Sequence, residues 1–562
     1  MNQRVGVRSL CPGIEILESR IAPAVILVTN LNDNGPGSLR AAISTADAAS
    51  GDHIVFRTTL HGTIALQSSL PTITSSMTIA GPGVSRVSIG GSGNYRAFYI
   101  NNGNPLVDSP VTISGLGITE MDAAGPGGAI FSRESLTLSH VSITASSATR
   151  DGGGVYVNCA TSGEKITISD SSISGNTSGI AGGGLFIYGA KSITLVGSQF
   201  NSNSAANSYG GGVYAEVNTS STGMVISACK FEQNGAANGG GLDLNNANAV
   251  ATSKITINAS VISSNTAKTG AGGGVQFGNG SIGGGFDFIN GGSITLNKGV
   301  TGGGLYSNNF TALTISKANI RQNGSTGTTG HEYGGGVFLG GSAGAAKIVD
   351  TTIDLNTSAQ NGGGLTLEGN IDLTLVASVV SGNTSAYNGG GIYSDGPSVA
   401  VVGGTFSHNT AADGPGGGMY LNSGPVSVTG AKVISNTSTF FGGGGMEIVD
   451  SSPVTLHGVT LDDNVTGPSD GGGGIVIDGC TDTLVTGCAI HGNHASYGGG
   501  MYFKDSTATV TATIISGNAA LKKGGGVYIE NGSSITLQVG HVTGNTAVIT
   551  GANVYGLFTP FT

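Results

Sequence analysis

Short apolar runs alternate with polar residues at period two through most of this chain. Ile166-Thr167-Ile168, Ile193-Thr194-Leu195, Ile255-Thr256-Ile257 and Ile535-Thr536-Leu537 are examples. Period two puts one side of each run in a core and the other in solvent, which is strand geometry, and Ile, Val and Thr favour strands. The runs recur in threes: Val155-Tyr156-Val157, Ile166-Thr167-Ile168 and Ser172-Ile173-Ser174 make one set. A Gly-Gly-Gly triplet precedes the first run of nearly every set. Fourteen triplets lead into an apolar residue, from Val155 to Val527, at intervals of 26 to 33 residues. A weaker copy follows at Gly551–Tyr555, and an early one precedes at Gly127–Phe131. A second signature, apolar-x-x-Asn, keeps phase with the triplets from Asn176 to Asn545. A fixed period in this range marks a stacked repeat.

Three strands per ~28-residue coil, joined by Gly, Asn and Ser turns, predict an all-β chain folded as a single right-handed parallel β-helix. Glycine supplies the positive-φ corners that a Cβ opposes. Asn tolerates the left-handed region and can bond to the coils above and below. Roughly seventeen coils at ~4.8 Å each give a rod about 80 Å long. Residues 25–150 read as the cap and first coils. Leu39, Ala42, Ile43 and Ala46 share one helical face. With Ser38 as N-cap and Gly51 as stop, a short helix running through Ala49 is expected to close the open end. Residues 151–562 form the Gly-triplet β-helix. Residues 1–24 read as a leader or sorting segment outside the fold, with Arg8, Glu15, Glu18 and Arg20 interrupting what would be the apolar core of a secretory signal.

Composition removes whole classes. Glycine supplies 102 of 562 residues and proline only 14, with no Gly-X-Y period, so the chain is no collagen. Hydrophobic residues make 38%, too many for a disordered acidic tail. The net charge of −10, with no Lys/Arg cluster, excludes nucleic acid as a partner. No apolar run is long enough for a transmembrane helix. Five cysteines (Cys11, Cys159, Cys229, Cys480 and Cys488) are too sparse for a disulfide scaffold.

The run from Thr29 to Ile43, containing Gly35-Pro36-Gly37-Ser38-Leu39-Arg40-Ala41-Ala42-Ile43, continues through Gly51-Asp52-His53-Ile54-Val55-Phe56 and Ile79-Ala80-Gly81-Pro82-Gly83. It resembles the N-terminal SLRxAI-type module of bacterial right-handed parallel β-helix proteins. The Gly-triplet and apolar-x-x-Asn repeats resemble those of polymorphic outer-membrane, adhesin-like proteins. Leu17-Glu18-Ser19-Arg20 followed by Ala22-Pro23-Ala24 is similar to a motif on exported bacterial surface proteins. Together these resemblances imply an extracellular or cell-surface location in a bacterium, with extracellular polysaccharide or surface proteins as partners. Adhesin-like relatives often end in a membrane β-barrel. No series of ~10-residue amphipathic strands follows the repeats here, so self-anchoring of that kind is not expected.

Candidate chemistry is sparse. The residue after the first apolar position is aromatic in nine repeats: Tyr156, Phe186, Tyr214, Tyr306, Phe338, Tyr393, Tyr420, Tyr502 and Tyr528. Its neighbours point inward, so the aromatic points out. Such a ladder either stacks on itself over the glycine turn or offers a binding platform. Asp462 and Asp463 are the candidate catalytic acids, with no basic partner evident nearby. Asp243 and Glu447 share a phase but lie seven coils apart. Cys480, Cys488, His491 and His494 are the candidate zinc ligands, opposed by strand alternation. A Cys480–Cys488 disulfide is the expected alternative in an exported protein. No cofactor is expected. The resulting expectation is a non-catalytic rod with a structural, adhesive or glycan-binding role. The alternative is a polysaccharide lyase or glycoside hydrolase, which requires two or more acids and a Lys or Arg on adjacent coils of one face. A third possibility is a passenger that assembles with a partner chain.

Overall fold

Each period-two run becomes one strand of a coil, and each coil lies on the one before it. The computed structural model describes residues 23–560 apart from 49, 92, 160–162, 217–222, 246–253, 279–283, 329–332, 423 and 539–540. The expected leader therefore lies outside the described residues except for its last two positions. Val155–Asn158, Lys165–Ser169 and Ser172–Ser174 are the three strands of a representative coil. They belong to three parallel sheets, here called the ring sheet, the long sheet and the corner sheet. The ring sheet has 17 strands and the long sheet 20, the latter running from Val25–Val28 to Thr559–Pro560. At ~4.8 Å per strand the rod is about 90 Å long. The described residues form an all-β right-handed β-helix of about 19 turns with one short helix near the N-terminus.

A fourth segment joins the expected three. Thr177–Ser178 pairs with Ser147–Ala148 below and Ser204–Ala205 above, and its equivalents form a 16-stranded short ladder. Two residues cannot display a period, so the sequence pattern did not register it.

Inward side chains stack by type along the rod. In the corner sheet Ile143, Ile173, Phe200, Phe231, Ile262 and Ile294 follow one another in register. They join one continuous buried core. Glycine is required at the triplets for two reasons. The first position turns the chain with a positive φ, as at Gly389 (+64°). The second and third lie against backbone: a Cβ on Gly390 would stand 2.4 Å from the Gly417 carbonyl oxygen, and one on Gly391 2.5 Å from that of Gly418.

The asparagines hold the opposite corner, in a way that corrects the expected backbone. The left-handed residue is the one before each Asn, such as His408 (φ 55°) before Asn409. The Asn itself turns inward and is fully buried. Asn409 Nδ2 donates to Val380 O on the coil below (2.9 Å) and to Asn436 Oδ1 on the coil above (2.9 Å). Its own Oδ1 accepts from Asn383 N and Asn383 Nδ2, both at 3.0 Å. Every polar atom of the amide is thus paired where no water reaches.

The helix spans Leu39–Ala46, with Ser38 Oγ accepting from Ala41 N. Leu39, Ala42, Ile43 and Ala46 are buried in the solenoid core. It ends before Ala49, which lies outside the described residues. Asp47 redirects the chain there: one of its carboxylate oxygens accepts from Thr74 N (2.6 Å) and Ser75 N (2.8 Å) on the neighbouring coil.

Candidate functional site

The ring sheet presents two outward columns. The first contains all nine candidate aromatics, extended at both ends by Tyr99, Phe131 and Tyr555. Phe131 and Tyr555 close the early and the weaker late copies of the signature, and Tyr99 precedes both, so none of the three belongs to the fourteen full triplet repeats. Strands in register bring the rings face to face. Centroids lie 4.7 Å apart for Tyr99–Phe131, 5.2 Å for Phe131–Tyr156, 5.1 Å for Tyr156–Phe186 and 4.9 Å for Phe186–Tyr214. Further pairs are Tyr306–Phe338 at 4.9 Å, Tyr393–Tyr420 at 5.6 Å and Tyr528–Tyr555 at 5.3 Å, while Tyr502 meets Tyr528 edge-on. Cations lie over the ends of the column: Arg96 over Tyr99 and Phe131, and Lys523 over Tyr555. Phe338 and Tyr306 are buried; the other candidate rings are half-buried. Stacking engages the faces and leaves edges and hydroxyls outward.

The second column stands two residues further along each strand and is rich in Asn, Asp and Glu. It holds the phenols. Asn158 Nδ2 donates to Tyr156 Oη (3.0 Å), Tyr214 Oη to Glu216 Oε2 (3.0 Å), and Tyr502 Oη to Glu530 Oε2 (2.6 Å). Burial, then the neighbouring acid Asp395, raises the Tyr393 phenol; burial, then Glu447, pushes Tyr420 up to about 12. The sequence reading missed this column because its residues vary in type while sharing one hydrogen-bonding role.

The ring column breaks at three places: Asp243 and Gln276, Thr366, and Glu447 and Val476. Asp243 is 1% exposed and burial pushes its carboxyl up to about 8. Asp243 Oδ2 and the buried Gln276 Oε1 have no hydrogen-bond partner, and the two residues face each other on adjacent strands. At the last break, burial, then repulsion from Asp470 and Asp478, pushes Glu447 up to about 8. Asp478 stands one strand above Val449, and Lys504 one strand above Asp478 with Nζ 2.8 Å from Asp478 Oδ2. Glu447, Asp478 and Lys504 therefore meet the arrangement that the hydrolase alternative requires.

The remaining candidates divide. Asp462 and His491 come together on adjacent strands of the corner sheet, with Nδ1 3.1 Å from Oδ1. This supplies the basic partner that the sequence did not reveal. Asp463 turns the corner with φ 52°, and an added Cβ on Gly492 would stand 2.3 Å from its Oδ1. The four candidate metal ligands separate: Cys480 and Cys488 are buried, whereas His491 and His494 are exposed. The expected disulfide is absent. Both thiols are free and stand at opposite ends of the strand Thr483–Thr486. Cys480 Sγ donates to Asp478 O and Ile448 O, and Cys488 Sγ to Thr486 O and Leu456 O. Among the described residues no three His, Cys, Asp or Glu side chains group as metal ligands, and no helix is long and apolar enough to cross a membrane.

The geometry and the family comparison agree on the class. Residues 405–557 match the family of right handed beta helix regions, and the protein is a right-handed β-helix repeat protein. Among solved structures it is similar to the A-module of the mannuronan C-5 epimerase AlgE6 of Azotobacter vinelandii. The identity is 12%, over 96% of this chain and 99% of that one, with a TM-score of 0.18. No curated protein matches the chain.

Proposed function

We propose that the protein is an exported, cell-surface rod that binds an extended, uncharged polysaccharide along the ring sheet. The observation that carries this reading is the pair of outward columns, in which phenol edges run beside Asn, Asp and Glu side chains at a constant rung spacing. A repeating polymer of hydroxyls can donate to the acids, accept from the amides and repeat the contact on the rungs between the breaks of the column. Acids in the second column and a net charge of −10 disfavour polyanions. Binding assays on arrayed and insoluble neutral glycans test the proposal. Replacing Tyr393 and Asn422 together with Ala is expected to weaken binding at least tenfold. Equal binding by that variant, or no binding to any neutral glycan, would overturn it.

A second reading rests on Glu447, Asp478 and Lys504. Glu447 and Asp478 stand on adjacent parallel strands, two positions apart along the outward face, a placement from which two carboxyls can flank a glycosidic bond and a water. With a carboxyl that titrates near 8, Glu447 is the proton donor and Asp478 the base. This reading predicts release of reducing ends from a bound polysaccharide, abolished in Glu447→Gln while binding persists. Absence of any release by the unmodified protein refutes it.

A further inference from the structure

Asp462, His491 and Ser516 occupy one outward position on three successive strands of the corner sheet, Asp462 opposite His491 and His491 opposite Ser516. Successive rungs are ~4.8 Å apart, so the three side chains form a short line along the rod. Its lower link is made. A carboxylate only accepts, so His491 Nδ1 carries the proton and donates to Asp462 Oδ1 at 3.1 Å. That fixes the tautomer and leaves the Nε2 lone pair free. The ring then leans upward onto the next rung, where an added Cβ on Gly517 would stand only 2.9 Å from Nε2. Gly517 immediately follows Ser516. The left-handed corner residue is glycine on both of these rungs, Gly492 (φ +64°) and Gly517 (φ +68°), and this clears the space into which Asp463 and His491 lean. Gly175, Gly382 and Gly544 hold the same place on three other coils, while the remaining corners carry a side chain, for example Gln233, Leu296 or Leu355.

The same three rungs continue past their buried asparagines into the floor of an apolar concavity. Val465, His494 and Ala519 stand three residues beyond Asp462, His491 and Ser516 and are themselves in register. With Pro468, Leu521 and Val548 they line a space of about 430 Å³. The His491 side chain is 63% exposed, so the line of three is open to solvent.

We propose that Ser516, His491 and Asp462 form an acyl-transfer site that hydrolyses small, activated carboxylic esters. Ser516 Oγ attacks the carbonyl carbon while His491 Nε2 takes the hydroxyl proton. The ester C–O bond breaks as the imidazolium returns that proton to the departing alkoxide. Water then attacks the acyl-Ser516 carbonyl, giving one proton to Nε2, and the acid leaves as the C–Oγ bond breaks and Ser516 Oγ is reprotonated. Asp462 is a positioning residue that holds the tautomer and stabilises the imidazolium. The neighbouring concavity receives the ester's apolar group.

The test is covalent labelling of the full chain by an alkyl fluorophosphonate, with the site and rate read by peptide mass spectrometry. Ser516 is expected to carry the adduct. Ser516→Ala abolishes it and His491→Ala slows it at least tenfold, with unchanged circular dichroism. Asp462→Asn slows labelling at least threefold and Asp462→Glu restores it, a rescue that a merely structural role for Asp462 or for its corner partner Asp463 would not produce. Hydrolysis of p-nitrophenyl butyrate falls in Ser516→Ala, His491→Ala and Asp462→Asn. No adduct on Ser516, or an adduct formed at the same rate in His491→Ala, overturns the proposal.

Discussion

Replacing Asp243 with Asn removes one titrating proton from the middle of the ring column, and its effect on stability should depend on pH in an unusual direction. Burial raises the Asp243 carboxyl from its ordinary value of 3.8 to about 8. The folded protein then holds a proton that the unfolded chain releases above about pH 4. Its contribution to stability is complete below pH 4, declines as pH rises, and is lost once pH passes about 8. A shift of roughly four units, at ~1.4 kcal/mol per unit, is worth about 6 kcal/mol at most across that window. Partial opening of the neighbouring rungs would reduce it to a few kcal/mol. The neutral acid has one O–H, and Gln276 Oε1, buried and otherwise unpaired, faces it from the next strand. Asn at 243 keeps a donor there and does not titrate. Because a solenoid opens locally, hydrogen exchange of peptides covering Val213–Phe277 is the appropriate assay. The unmodified protein should exchange progressively faster there between pH 4 and 9, after correction for intrinsic rates, and the Asn variant should not. Equal pH slopes in the two proteins would refute the reasoning, and would mean that the Gln276 amide donates to an ionised Asp243.

Three further outcomes follow from the packing. Asn409→Ala strips four hydrogen bonds from the buried ladder and leaves donors on Asn383 unpaired; at ~1–3 kcal/mol per orphaned group it should cost about 3–5 kcal/mol in urea denaturation. Gly390→Ala forces a methyl against the Gly417 carbonyl and should cost ~1–3 kcal/mol or more, with the largest rise in exchange on the two adjoining coils. Burial pushes the Cys480 thiol up to about 11 and raises that of Cys488, so a thiol reagent should modify them at neutral pH only after denaturation.

The pattern of the chain made the solenoid legible because every coil repeats the same compromise. Ile166, Ile193, Met224 and Ile255 are interchangeable inward residues, and a triplet of glycines is conspicuous because no side chain fits there. What stayed hidden belongs to register rather than to residue type. The partner of Asp462 lies 29 positions away, and loops of unequal length must be threaded before the two meet. The same holds for Glu447 with Asp478 and Lys504. The ring column was readable one coil at a time, but the stacking that occupies its faces appears only when coils are superposed. Cys480 and Cys488 are near in sequence yet at opposite ends of a strand, so proximity along the chain suggested a bond that the strand between them prevents.

The asparagine column has a sense of direction. From Asn176 onward each amide gives its hydrogen to the oxygen of the next residue in the series, ending with Asn545 donating to Asn553. Each coil of the series therefore turns an amide donor toward the coil after it and its amide oxygen toward the coil before. The two ends of the column are unlike as a result: at the first, Asn176 Oδ1 takes the backbone N–H of Ser146, and at the last the Asn545 donors are met by Asn553, a side chain from outside the series that acts as the stopper of the column.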